Sequence, residues 1–128
     1  MLLDTHVLLW LAGEPRRLSR PAASALRRAK TGVGIASISL WEIALLHRRG
    51  RIRGGGSPQR FIRMLLEGSR FRVHEIDAEI ADVASGLGGG FPEDPCDRLI
   101  AATAIVLGLP LVTADQGIRG SGALRTVW

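Results

Sequence analysis

Short apolar runs alternate along the chain with longer segments of helical periodicity. Residues 1–4 read as a short buried strand, with a helix over 5–12 directly behind it. A polar loop with Pro15 covers 13–20. Residues 21–30 form a helix, with Pro21 suited to its first turn and Ala23, Leu26 and Ala29 as a weak inner stripe. The GIAS run at 34–37 is a second buried strand. Residues 39–49 are a strong helix, with Leu40, Ile43, Ala44 and Leu46 near one face and Gly50 as its stop. A glycine hinge at 54–57 leads to an amphipathic helix over 58–68, where Phe61, Ile62, Leu65 and Leu66 recur at helical spacing.

Residues 71–76 alternate as a third strand, followed by a helix over 78–87 and a glycine loop at 88–90. A helix over 95–107 turns Ile100, Ala101, Ala104 and Ile105 inward and stops at Gly108. Residues 111–113 are a fourth strand and 124–127 a last one. Strands this short, alternating with helices, predict an α/β fold with a mainly parallel sheet. No repeat, low-complexity tract or linker divides the chain, so 1–128 is expected to be a single domain.

This pattern carries four acidic residues into one context. Asp4 ends the first strand, Glu42 lies in the first turn after the second, Asp97 in the first turn of the 95–107 helix, and Asp115 just past the fourth strand. The carboxyl ends of parallel strands share one edge of a sheet, and ligands bind there. Four carboxylates in one cleft repel one another unless a cation joins them. Oxygen-only donors suit Mg²⁺ or Mn²⁺, and a pair of such ions stabilises both the attacking and the leaving oxygen of a phosphodiester. One Cys and three scattered His give no zinc spacing.

Each acid also has a plainer reading. Asp4 is placed to cap the next helix. Ser39, Leu40, Trp41 and Glu42 spell the S-x-x-E capping box. Asp94 precedes Pro95 as a cap, with Asp97 at the third helical position, and Asp115 suits a turn over 114–117. All four serving as decoration at one sheet edge is the less economical account.

Composition adds two points. Lys30 is the only lysine among seventeen Lys and Arg, and the net charge is +5. Arginine favours bidentate phosphate contact, which makes nucleic acid a plausible partner beside the alternative of mere compositional bias. The segment His47, Arg48, Arg49, Gly50, Arg51, Ile52, Arg53 is a candidate RNA contact or simply a solvated helix end. His6 and His74 receive no catalytic role. The lone Cys96, the absence of a basic leader, and no apolar run near the roughly 20 residues of a membrane span predict a cytoplasmic protein without membrane association.

The runs LLDTHVLLW, ASISLWEIALL and DPCDRLIAATAIVLGLPLVTAD, with the C-terminal valine-containing strand, resemble the PIN-domain nucleases, especially VapC-type toxins of toxin–antitoxin pairs. The likeness covers nearly the whole chain in order. It implies a PIN-like α/β/α sandwich and a divalent-metal-dependent endoribonuclease. By resemblance Asp4 and Asp97 hold the primary Mg²⁺ or Mn²⁺, and Glu42 and Asp115 complete the pocket directly or through water. Thr5 and Thr113 hold waters or phosphate, and Asp94 is a helix cap or a supporting group. Arg98 contacts phosphate or a neighbouring carboxylate. A small antitoxin that wraps the toxin and blocks the cleft is implied, as are homodimers. The 5–12 and 58–68 helices offer apolar surface for either contact, or for the core. The competing readings are a degenerate PIN-like RNA- or protein-binding module, disfavoured by the retained acids, and another Mg²⁺-dependent phosphoryl hydrolase. A haloacid-dehalogenase-like member of that class would want D-x-D, where His6 stands.

Overall fold

Leu2 and Leu3 form β1, the middle strand of a five-stranded sheet, in a computed structural model that describes residues 1–29, 32–54, 56–67 and 71–128. The other strands are β2 (Val33–Ala36), β3 (Phe71–His74), β4 (Leu111–Val112) and β5 (Thr126–Val127). The order is β3-β2-β1-β4-β5, and every neighbouring pair is parallel. Four of the strands are shorter than the pattern predicts and β2 is shifted by one residue, yet pairing continues past the ends of β1 and β4. The Asp4 amide donates to the Val112 carbonyl at 3.1 Å, and the Thr113 amide to Val127 at 3.2 Å.

Period-two alternation divides the apolar residues between the two faces of the sheet. Leu3, Ile35 and Val112 face one side, where α1 (Thr5–Gly13), α2 (Arg20–Arg28), α3 (Ser37–Arg48) and α4 (Pro58–Leu66) cover them. Leu2, Ala36 and Leu111 face the other, against α6 (Pro95–Val106), Phe91 and Ile118 of α7 (Gln116–Gly120). Helix α5 (Ala78–Gly86) packs Ile80 and Ala84 against Ala102, on the outer side of α6. This is the expected α/β/α sandwich. With a neighbour on both sides, α6 buries Ala102 and Thr103 besides the predicted inward Ile100, Ala101 and Ala104, whereas Ile105 is only half-buried.

Several local expectations are corrected. Helix α3 starts at Ser37, with Ala36 at the cap position and no side-chain cap, so Ser39 and Glu42 form no capping box. Glu42 thereby falls in the second turn. In α2 the buried residue is Ala22 rather than Ala23, because the helix begins at Arg20 behind a Ser19 cap. The chain over 15–17 is a short 3₁₀ turn, and the turn expected at 114–117 opens α7. Lys30, Gly55 and Gly68, which belong to expected elements, lie outside the described residues. Among the described residues no helix is long and apolar enough to cross a membrane.

Gly34 shows how tightly the sheet is covered. A Cβ there would stand 2.9 Å from Nε2 of His74 and 3.0 Å from Cδ1 of the fully buried Leu2. His74 can swing, but Leu2 is locked between sheet and helix. Gly34→Ala is expected to cost about 1–3 kcal/mol, the usual range for overpacking. A denaturant midpoint unchanged from the parent would refute this.

Candidate active site

The elements deliver their acids to one edge of the sheet. Asp4, Glu42, Asp94, Asp97 and Asp115 line one cavity of about 610 Å³, with His6, Trp10, Ala114, Gln116 and Gly117. Asp4 leaves the end of β1 and is only 6% exposed. It occupies the cap position of α1 in extended conformation, yet makes no side-chain cap bond. Its Oδ2 instead accepts a 2.6 Å hydrogen bond from the Thr113 hydroxyl, whose oxygen accepts from the Asp115 amide at 3.0 Å. The ends of β1 and β4 are thus tied through a buried side-chain bond from Thr113 to the cavity-lining Asp4.

Glu42 projects from the second turn of α3, and the other acids hang on helix starts. Asp94 caps α6, its Oδ1 accepting from the amides of Cys96 at 2.8 Å and Asp97 at 3.2 Å. That fixes the turn from which Asp97 projects. Asp115 caps α7 through the Ile118 amide at 2.8 Å. Capping and cavity lining coincide here, because one carboxylate has oxygens for both.

No cation answers these charges. Among the described residues the one ion pair is Arg17 with Glu14, and no arginine lines the cavity. The consequence falls on Asp97. Burial, followed by the charges of Asp4, Asp94, Asp115 and Glu42, pushes its carboxyl up to about 7. The buried Cys96 thiol is pushed up to about 11 by its burial and then by Glu42, Asp94 and Asp97, so it stays protonated and is no nucleophile at neutral pH.

Among the described residues no three His, Cys, Asp or Glu side chains already stand together as a chelating group. The donors are therefore carboxylate oxygens spread around an open cavity rather than a closed chelating group. That chemistry fits a hard divalent ion, which takes few protein ligands and keeps several waters. It fits neither zinc nor a soft metal.

Other predicted residues are employed differently. Thr5 is fully buried and donates to the Ser39 hydroxyl at 2.9 Å, joining α1 to α3 rather than facing the cavity. Arg98 reaches neither phosphate space nor a carboxylate. Its Nη1 donates to the carbonyls of Leu87 at 2.8 Å and Ala84 at 3.4 Å, closing the end of α5 onto α6. Arg48 and Arg49 are exposed at the end of α3, away from the cavity, whereas Arg51 lines a neighbouring groove. That groove, about 530 Å³, runs between α1 and α4 and is lined by Leu9, Phe61, Met64 and Leu65 among others. The two expected apolar helices thus supply an open face as well as core. His6 and Trp10, one turn apart on α1, line both the groove and the acidic cavity. Sequence reasoning passed them over; the signal was their four-residue spacing immediately after Asp4.

The PIN domain profile matches residues 1–121. The chain is 39% identical to Ribonuclease VapC22 of Mycobacterium tuberculosis, across 100% of this chain and 98% of that one. In fold it is similar to a toxin–antitoxin complex from Klebsiella pneumoniae (TM-score 0.67, 23% identity, 96% of this chain and 93% of that). It is also similar to a DNA-bound VapBC from Salmonella typhimurium (TM-score 0.72, 20% identity, 98% of this chain and 94% of that).

Proposed function

We propose that this chain, which belongs to the PIN-domain family, is a metal-dependent endoribonuclease and the toxin of a toxin–antitoxin pair. The observation that carries the reading is a cavity lined by five carboxylates and, among the described residues, by no Lys or Arg, in a protein of net charge +5. Such a cavity repels phosphate until divalent ions offset its charge and offer the phosphate oxygens a local positive centre. The full-length likeness to a ribonuclease supports RNA as the substrate.

Asp4 and Asp97 are the residues that would hold the ion, with Glu42 and Asp115 completing the pocket directly or through water. The ion, when bound, supplies a Lewis acid that acidifies water and offsets charge on the scissile phosphate. Thr113 keeps one oxygen of Asp4 engaged and so aims the other. Asp94 acts on Asp97 by holding the first turn of α6. Glu42 or Asp115 would orient the attacking water, and no lone general base is required. Mg²⁺ and Mn²⁺ both suit this all-oxygen set.

The partners follow from the same reading: RNA, a small antitoxin as in the toxin–antitoxin complex of like fold, and a second copy of the chain. One domain of 128 residues working in the cytoplasm fits this role. With purified protein and a structured RNA, cleavage should require added Mg²⁺ or Mn²⁺, cease in excess EDTA, and return when the ion is restored. Cleavage that continues in EDTA would sink the proposal.

A further inference from the structure

The ring wall of the acidic cavity has a property that the carboxylates lack. Among the described residues lining that cavity, His6 and Trp10 are the aromatic ones. Their ring centroids lie 6.1 Å apart at 50°, and Trp10 in turn lies 5.6 Å from Trp128 at 51°. The tryptophan is thus braced from the protein side while part of it faces open space. Over its ring, 4.3 Å from the centroid, sits the guanidinium of Arg17. Among the described residues Arg17 is otherwise held only by an exposed 3.8 Å pair with Glu14, a contact that water and salt weaken. A cation resting on an indole beside an acidic pocket is a stacking position occupied by a replaceable group.

The rings and Asp4 belong to one helix and its cap. Asp4 immediately precedes α1, and His6 and Trp10 lie on that helix one turn apart. Beyond the rings, the rim of the adjoining groove carries Arg17, Arg51 and Arg53, against Glu14 alone. Acid cavity, aromatic wall and basic rim therefore follow in that order. An aromatic platform with flanking arginines is how proteins hold single-stranded nucleic acid.

Resting on the ribonuclease reading above, we propose that Trp10, aided by His6, is a positioning residue that stacks the nucleobase next to the scissile phosphate of a single-stranded RNA segment. The base takes the place of the Arg17 guanidinium over the indole, and that guanidinium turns to a backbone phosphate. The wall thereby fixes which bond lies over Asp4 and Asp97.

The test uses the full chain, added Mg²⁺ or Mn²⁺, and an RNA oligonucleotide that it cuts at one bond. Single abasic nucleotides are placed in turn on either side of that bond. One flanking position is expected to raise KM roughly 5- to 150-fold, the worth of one base–aromatic stack, with kcat little changed. Trp10→Leu should raise KM to a similar degree, and Trp10→Phe should recover most of the loss. Trp10→Leu with the sensitive abasic RNA should be no worse than either change alone. Additive losses, or no sensitive flanking position, would overturn the proposal. If Trp10→Leu unfolds, the same cycle with the exposed His6→Ala decides the matter, again by additivity. A variant that keeps its KM for RNA but loses a protein partner would mark the rings as a protein interface and overturn the stacking role. Wild-type protein that cuts no RNA removes both readings; wild type and Trp10→Leu cutting equally removes this one alone.

Discussion

Asp97→Asn is expected to cripple RNA cleavage and, in the same protein, to stabilise the metal-free fold at pH 8. The two effects share one cause. In the unfolded chain Asp97 ionises near the ordinary 3.8; in the folded chain it keeps its proton until about 7, because of burial and then Asp4, Asp94, Asp115 and Glu42. Between those values the native state binds more protons than the unfolded one. Stability from this group therefore falls as pH rises through that window, and the full cost is present above about pH 7. Asparagine removes the charge and retains the backbone amide that Asp94 caps. Since the carboxyl is partly exposed and screened by water, the gain is about 1–2 kcal/mol rather than the whole shift. Urea midpoints in chelator at pH 5 and pH 8 measure it: the wild type should lose stability between them, and the variant should lose less. Parallel pH profiles would show that Asp97 is not the group under repulsion. With saturating Mg²⁺ the order should reverse at pH 8, because the ion binds and stabilises only the intact site. Cleavage should drop roughly 100- to 1,000-fold, the scale of losing one electrostatic contact to a reacting group.

The second large effect separates Asp4 from the hydroxyl that holds it. Asp4→Asn keeps an oxygen to accept from Thr113, so the fold should survive while cleavage falls roughly 100- to 1,000-fold. Thr113→Val leaves the carboxylate in place and frees its second oxygen from the 2.6 Å bond. It also leaves the Asp115 amide without its 3.0 Å acceptor. Metal affinity should then weaken by about 10- to 100-fold, as for other groups that orient a ligand, and added metal should restore much of the rate. Titrating cleavage against Mg²⁺ distinguishes the two. A Thr113→Val curve lying on that of the wild type would dismiss the orienting role, and full activity in Asp4→Asn would dismiss the site.

Much of this architecture was legible in the chain itself, for reasons that differ by element. Asp4, Asp97 and Asp115 could be placed because each stands beside a strand end or a capped helix start, where local signals are strong. Glu42 was placed on the right edge for the wrong reason. The spacing from Ser39 imitates a capping box, but the helix starts two residues earlier, and the Ser39 hydroxyl is turned inward to accept from Thr5. That contact spans 34 residues and leaves no local trace. Arg98 misled because its reach is long: its partners are carbonyls of a helix end 11 and 14 residues away. Trp10 was hidden by its company, since an indole among leucines on an apolar helix looks like core until the second cavity beside it is seen. Helix α7 was concealed by size, as its five residues carry no periodicity.

The bond between Asp4 and Thr113 joins residues 109 apart, and β1 has β4 beside it only once that late part of the chain exists. Asp4 therefore has no cleft to belong to until Thr113 has folded back against it. Loop closure over so long a stretch comes late and at an entropic cost.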